Sequence, residues 1–239
     1  MSTAFEPDFL QGSRPHTTVI LAMSADGKIA DRDRHAARFS SAADLHHLET
    51  LIAQTDGVLF GANTLRAYGT CLTVRQPELL DGRSQRHQPP QPIQIVCSGS
   101  GKLDPQGRFF RQAVPRWLIT TVSGAKPWQG AVAFDQILVL PDDSPTDWPT
   151  LAQQLRTRGI AKLALLGGGT LVAAWLEAGL VDELYLTICP LLIGGATAPT
   201  PVDGTGSPIS AALPLTLVGA KTLGSEVFLH YRYSRDPGD

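Results

Sequence analysis

Three consecutive glycines between a predicted strand and a predicted helix constrain the fold of this chain more than any other feature. The run Ile160–Leu166 is almost entirely apolar and predicts a short buried strand, and Leu171–Leu180 has apolar residues at helical spacing. The glycines between them leave backbone N–H groups uncovered at the start of the helix, where the helix dipole favours a bound anion. A tight turn with positive φ would explain one glycine easily but three poorly. We therefore predict that a dinucleotide pyrophosphate binds at Gly167, Gly168, Gly169, Thr170 and Leu171.

The glycine run does not fit the fingerprint of a doubly wound dinucleotide-binding domain. That fingerprint reads G-x-G-x-x-G near the first strand and is followed about 20 residues later by an acidic residue. Here the glycines are contiguous and lie about two-thirds of the way along the chain. We therefore expect a nucleotide-binding fold of a different topology.

Apolar strand patterns alternate with helical patterns over most of the chain. Two further helices are predicted at Ala42–Gln54, with Ser41 as the N-cap, and at Trp148–Arg158, whereas the polar stretch Asp81–Pro92 predicts a loop. Parallel units followed by antiparallel strands indicate an α/β fold with a mixed, mostly parallel sheet flanked by helices. The other predicted strands are Thr17–Met23, Gly57–Gly61, Ile93–Cys97, Arg116–Thr121, Gln136–Leu140, Glu183–Pro190, Leu213–Lys221 and Val227–Tyr233.

The composition is typical of one ordinary globular domain. Of the 239 residues, 43% are hydrophobic and 18% are charged, and we predict a single domain with an N-terminal tail at residues 1–15. A net charge of −2 offers no electrostatic argument for binding nucleic acid or an acidic membrane surface. No apolar run reaches the roughly 18 residues that span a bilayer. The first residues lack the apolar core of a secretory signal, so a cytoplasmic location is predicted.

Neither the cysteines nor the histidines have the spacing of a metal site. Cys71, Cys97 and Cys189 are widely separated, and we interpret them as reduced cysteines. The H-x-E and P-C-x-x-C pair of a zinc deaminase does not occur in the sequence. We therefore predict no metal ion and no deaminase domain.

Four motifs in a fixed order resemble one enzyme family, the reductase domain of riboflavin biosynthesis. This domain is often fused behind a pyrimidine deaminase and has a dihydrofolate-reductase-like fold. The similarity extends from about residue 19 to residue 233. The motifs are Ala22–Ala30 (AMSADGKIA), Gly61–Leu65 with Leu72–Arg75, the glycine run with Gly179–Leu184, and Cys189–Gly195 (CPLLIGG).

The resemblance implies an NADPH-dependent reductase that acts on 5-amino-6-(5-phosphoribosylamino)uracil and transfers a hydride to its ribose side chain. Such chemistry needs little from the protein beyond placing the nicotinamide against the electrophilic carbon and excluding water. A homodimer is also predicted, because the antiparallel C-terminal strands carry apolar residues on both faces, for example Tyr185, Leu186, Ile188 and Leu191, and the family resemblance implies the same. The residues implied are Ala22, Thr64, Ser98 and the glycine run for the cofactor, Lys28, Leu72, Arg75 and Leu166 for the substrate, and Lys28 with Asp26 for catalysis.

The chain departs from the family pattern at the substrate end. The residue before the glycine run is Leu166 where the family usually has Glu, and Ile52 stands where the family has Arg. The substrate therefore stays open, with a pterin-like heterocycle or a non-catalytic dinucleotide-binding role as alternatives. Dihydrofolate reductases hold the pterin with a buried carboxylate on the first helix. Asp44 lies at the start of the predicted helix and Glu49 on its polar side, which disfavours folate reduction.

Overall fold

A computed structural model describes residues 12–39 and 41–233, which form one nine-stranded sheet with helices on both faces. The strands are β1 His16–Ser24, β2 Gly57–Gly61, β3 Ile93–Cys97, β4 Arg116–Thr121, β5 Gln136–Leu140, β6 Lys162–Leu165, β7 Glu183–Cys189, β8 Leu215–Leu223 and β9 Glu226–Tyr233. The α-helices are α1 Ala42–Ile52, α2 Ala62–Tyr68, α3 Pro77–Gln85, α4 Val122–Ala125, α5 Trp148–Thr157 and α6 Gly169–Glu177.

The strand order confirms the predicted mixed sheet. It runs β5-β4-β3-β2-β6-β1-β7-β9-β8. The seven strands from β5 to β7 are parallel, and β9 is antiparallel to both β7 and β8. The carboxyl ends of the parallel strands therefore meet at one edge of the sheet.

Two apolar cores lie on opposite faces of this sheet. Val172 and Trp175 of α6 belong to one core, whereas Ile52 of α1 and Leu65 of α2 belong to the other. Because α2 follows β2 and α6 follows the neighbouring strand β6, the chain leaves two adjacent strands toward opposite faces. Such a reversal opens a crevice at the carboxyl ends of the strands, the usual ligand site of open α/β sheets.

The predicted loop at Asp81–Pro92 is wrong over its first residues, because α3 continues to Gln85. Pro77 begins this helix, a position where proline is favoured. Arg83 is buried and donates hydrogen bonds of 3.0 and 2.8 Å to the carbonyl oxygens of Ala53 and Thr55 beyond the end of α1. This tertiary contact stabilises the helical conformation of α3, although the Asp-Gly pair within the helix is typical of a turn.

Residues 1–11 of the predicted tail lie outside the described residues. In the part of the chain that the structure describes, no helix is both long and apolar enough to cross a membrane.

Candidate active site

The crevice at the carboxyl ends of β2 and β6 is narrow and lined by backbone. The Gly61 N–H donates to the Gly167 carbonyl oxygen at 2.9 Å, which ties the end of β2 to the glycine run. A Cβ atom built on Gly168 would lie 3.8 Å from Thr64 Oγ1. Thr64 and the glycine run therefore face each other across the crevice, as the family resemblance implies for two contacts to one cofactor.

The start of α6 offers uncommitted backbone donors to this crevice. Gly168 is the N-cap, and no side chain caps the helix. Among residues 12–39 and 41–233, no protein acceptor takes the N–H of Gly169 or Thr170. Free N–H groups at the start of a nine-residue helix suit a bound anion such as pyrophosphate.

The three glycines serve different purposes. Gly167 has a φ of +94°, a conformation that L side chains rarely adopt, and its peptide bond to Gly168 is cis. Gly168 has an ordinary φ of −72° and an open side toward Thr64. At Gly169 a Cβ atom would lie only 2.2 Å from the Thr200 carbonyl oxygen. Gly168 is thus the glycine whose missing side chain leaves room for a ligand.

A polar depression of about 390 Å³ continues from the start of α6. Thr170 lines one side of it, Arg34 supplies a cation, and the segment from Ala196 to Gly204 supplies the remaining wall. The Asp203 N–H donates to the Gly169 carbonyl oxygen at 3.2 Å, which fixes this wall against the helix. The depression therefore adjoins the free N–H groups at the start of α6 and adds further polar groups beside them.

The turn after β1 holds Asp26 and Lys28 through Ser24. Ser24 Oγ donates to Asp26 Oδ1 at 2.6 Å and accepts the Lys28 N–H at 2.9 Å. Asp26 also accepts the N–H groups of Ile193 and Gly194 at 3.1 and 2.6 Å. The Ser24 hydroxyl and these two N–H groups lower the pKa of Asp26 to about 2. Asp26 is therefore ionised at neutral pH and has no proton to donate. Its carboxylate stabilises the loop after β7 by accepting these hydrogen bonds.

Lys28 and Arg75 are held on separate segments. Lys28 Nζ donates to the Ala198 carbonyl oxygen at 3.3 Å. The backbone N–H groups of Arg75 and Gln76 both donate to Glu49 Oε1, at 2.6 and 2.8 Å, while the Arg75 side chain is exposed and contacts Thr73. Glu49 thus fastens the segment that carries Arg75 to α1 and is not a free carboxylate.

The remaining predicted contacts come from several different segments of the chain. Ala22 is half-buried in β1, and Ser98 follows β3 with its N–H bonded to the Ile119 carbonyl oxygen. Leu72 and Leu166 both pack against the core that contains α1 and α2. The fully buried side chain of Ile52 is also part of that core, which accounts for an apolar residue where the family has Arg.

The contact of Arg66 and the burial of Asp44 were not predicted from the sequence. Arg66 Nη2 donates to the Lys102 carbonyl oxygen at 3.1 Å, which brings the Arg66 guanidinium beside the turn that follows Ser98. Asp44 is buried at the start of α1, although an acidic residue in a first helical turn usually faces solvent. No periodicity signal distinguishes a buried aspartate from an exposed one at that position.

A cluster of possible metal ligands occurs at Asp31, Asp33 and His35 on the exposed segment after β1. Asp31 Oδ2 lies 2.8 Å from His35 Nδ1, and Asp31 Oδ1 accepts the N–H groups of Asp33 and His35. These hydrogen bonds account for the cluster as a local turn of the chain.

A family model described as the RibD C-terminal domain matches residues 15–229. The chain belongs to this family. It is 28% identical over 192 residues, 80% of this chain and 87% of the relative, to an Archaeoglobus fulgidus protein named 2,5-diamino-6-ribosylamino-4(3H)-pyrimidinone 5′-phosphate reductase.

Solved structures confirm the fold. A pyrimidine reductase-like protein from Corynebacterium diphtheriae has a TM-score of 0.81 at 20% identity, with 93% of each chain covered. Dihydrofolate reductase from Enterococcus faecalis has a TM-score of 0.52 at 13% identity, with 92% of this chain and 97% of that chain covered. The predicted dihydrofolate-reductase-like architecture is therefore correct.

Proposed function

We propose that this RibD-type domain is an NADPH-dependent reductase of a phosphoribosylamino-pyrimidine. The free N–H groups at the start of α6, opposite Thr64 in the crevice between β2 and β6, carry this proposal. The Archaeoglobus fulgidus relative, named as a reductase of such a compound, supports it. A cytoplasmic location fits a biosynthetic enzyme of this kind.

Backbone N–H groups and side chains near the crevice would bind different parts of the cofactor. The N–H groups of Gly169 and Thr170 would hold the pyrophosphate, with Thr64 on the opposite wall. Arg66 and Lys102, beside Ser98, provide positive charge where a 2′-phosphate would favour NADPH over NADH. When bound, the cofactor supplies the hydride.

Residues of the turn after β1 would contact the substrate. Reduction requires the ribosylamine to open, so that its C1′ atom becomes electrophilic through a C=N bond to the exocyclic nitrogen. Lys28 is the cation on this turn and a proton donor for the opened sugar, and Asp26 keeps the turn in place. Leu166 and Ala22 provide apolar surface that excludes water from the reacting carbon.

The test is NADPH oxidation by the purified chain with phosphoribosylamino-pyrimidines, with dihydrofolate as a comparison. Consumption of NADPH together with a ribityl product supports the proposal. Activity on dihydrofolate alone would replace it with a pterin reductase, and NADPH binding with no turnover would indicate a dinucleotide-binding protein.

Replacing Arg75 by alanine should raise KM for the phosphorylated substrate about ten- to hundred-fold. The exposed Arg75 guanidinium is free to pair with a phosphate, and loss of one charge-assisted hydrogen bond costs about 1.5–3 kcal/mol. NADPH affinity should stay the same, since Glu49 fixes the Arg75 backbone by its N–H group. An unchanged KM in steady-state kinetics would exclude Arg75 from the substrate site.

We also propose that a second copy of the chain covers β8. The predicted interface residues Tyr185, Leu186, Ile188 and Leu191 are partly buried within the chain. The exposed apolar side chains lie instead on β8, at Leu215, Leu217, Val218 and Leu223, on an edge strand that no described element covers. An apolar edge of this kind invites pairing with another chain.

Light scattering should therefore give the mass of a dimer, and Leu217→Lys should shift the protein toward the monomer. Leu217 is 54% exposed, so the substitution adds charge to the edge without disturbing the core. Val139→Lys on β5, at the opposite edge of the sheet, is the matched control and should leave the dimer intact. A wild-type monomer at micromolar concentration would refute this arrangement.

A further inference from the structure

Glu226 is a buried carboxylate that the proposed reaction does not use. It is the first residue of β9 and is 5% exposed. Its hydrogen-bond donors are neutral groups, with Ser41 N at 2.9 Å, Ser41 Oγ at 2.5 Å and Cys189 Sγ at 3.7 Å. In the described part of the chain, no cation forms an ion pair with it. A carboxylate buried in this way contributes little to stability, because neutral hydrogen bonds replace only part of its lost hydration.

The contacts of Glu226 join the start of α1 to the end of β7. Ser41 is the N-cap of α1, and its Oγ accepts the N–H groups of Ala43 and Asp44. In a capping box, the acceptor for the N-cap N–H is a side chain of the helix itself. Here it comes from β9, 185 residues later, and the same oxygen accepts from Cys189, the last residue of β7. Burial and then the charge of Glu226 raise the pKa of the Cys189 thiol to about 12, so the thiol keeps its proton and remains a donor.

The end of β7 supports the turn that carries Lys28. Cys189 pairs with Ser24 at the end of β1, and Ser24 Oγ accepts the Lys28 N–H. The Leu191 carbonyl oxygen, just beyond Cys189, accepts the Ala25 N–H at 2.9 Å. A shift of Cys189 would therefore move the turn that carries Lys28.

The helix α1 supports Arg75 through its second half. Glu49 of this helix accepts the backbone N–H groups of Arg75 and Gln76 with one oxygen. Because a helix rises about 1.5 Å per residue, Ser41 and Glu49 are about 12 Å apart on one rigid element. A tilt of α1 at Ser41 would therefore move Arg75 relative to Lys28.

We propose that Glu226 is a positioning residue that fixes Arg75 relative to Lys28 at the substrate end. This inference rests on the proposed reductase function, in which Arg75 binds the phosphate and Lys28 acts on the opened sugar. Both cations must contact one substrate molecule at the same time, so their separation decides whether its C1′ atom reaches the nicotinamide. A misplacement of about 1 Å in such a site costs about a hundred-fold in rate.

Glu226→Gln should lower kcat for the phosphoribosylamino-pyrimidine about ten- to hundred-fold, with a smaller change in KM and an unchanged Kd for NADPH. A glutamine has a single acceptor oxygen, so its amide NH2 group would face one of the two Ser41 donors. Glu183→Gln is the matched control, because Glu183 is a half-buried carboxylate at the opposite end of β7. It removes the ion pairs with His230 and Arg232 but should leave kcat unchanged.

Arg75→Ala provides a test that distinguishes positioning from a general loss of stability. Once the guanidinium is removed, its separation from Lys28 no longer matters. Glu226→Gln should therefore lower kcat by less than about three-fold in the Arg75→Ala background, since residues that act through one another are not additive. Effects that multiply, as they do for independent sites, would overturn the proposed role of Glu226.

Ser41→Ala is a second variant, because it removes the Oγ donor and leaves the Glu226 carboxylate in place. It should lower kcat in the same way, whereas Asp147→Ala, which removes the N-cap side chain of α5, should not. Wild-type kcat in folded Glu226→Gln and Ser41→Ala variants would overturn the role of Glu226 and leave the reductase function in place. Absence of turnover by the wild-type chain would contradict both. Should Glu226→Gln unfold in a thermal melt, the comparison of Ser41→Ala with Asp147→Ala decides the question.

Discussion

Replacing Gly168 by valine is expected to abolish NADPH binding while the chain remains folded. The backbone of Gly168, with φ −72° and ψ 178°, is one that valine adopts readily. The nearest atom to an added Cβ is Thr64 Oγ1 at 3.8 Å, an ordinary van der Waals distance, so the protein itself has room for the Cβ atom. The added methyl groups would fill the space that the pyrophosphate needs, in front of the N–H groups of Gly169 and Thr170. A loss of at least about a hundred-fold in affinity is expected, since two charge-assisted hydrogen bonds depend on that space.

Isothermal titration with NADPH measures this effect, and circular dichroism checks that the variant is folded. Thr170→Val is a useful companion, because it removes only the hydroxyl and keeps the backbone donors, so a smaller loss is expected. If the folded Gly168→Val variant bound NADPH with unchanged affinity, the cofactor would not bind at the glycine run.

Replacing the neighbouring Gly169 by alanine is expected to lower the free energy of unfolding by about 3 kcal/mol, near the upper end of typical overpacking costs. Its Cβ atom would lie 2.2 Å from the backbone carbonyl oxygen of Thr200 and 2.9 Å from the Asp203 carboxyl carbon. A backbone atom cannot rotate away as a side chain does, so the segment around Thr200 must move. The hydrogen bond from the Asp203 N–H to the Gly169 carbonyl oxygen would be strained by that movement.

Urea denaturation measures the free energy of unfolding of the two alanine variants, Gly168→Ala and Gly169→Ala. Only the second should be clearly destabilised, although the two positions are adjacent and the added methyl group is the same. Equal stability of the two variants would show that the Gly169 contact does not constrain the fold.

The sheet could be predicted from the sequence because buried parallel strands and the helices between them differ clearly in hydrophobic period. The strands Gly57–Gly61, Ile93–Cys97 and Gln136–Leu140 agree with the structure to the residue. The predicted N-cap at Ser41 is confirmed. The helix α3 was missed because Arg83 stabilises it through carbonyl groups that are distant in sequence.

The candidate site was predictable only where a local motif fixes the backbone. The glycine run marked the start of α6, but the sequence could not assign separate tasks to its three members. The tasks of Gly168 and Gly169 depend on Thr64 and Thr200, which come from other parts of the chain.

The most direct measurement follows the hydride itself. The wild-type chain is incubated with NADPH in which both hydrogens at nicotinamide C4 are replaced by deuterium, together with a phosphoribosylamino-pyrimidine, and the product is analysed by mass spectrometry and NMR. A reductase of the proposed kind will give a ribitylamino product with one deuterium atom at C1′, formed in step with oxidised cofactor. Consumption of NADPH without deuterium at C1′, or no product at all, would contradict hydride transfer to the sugar.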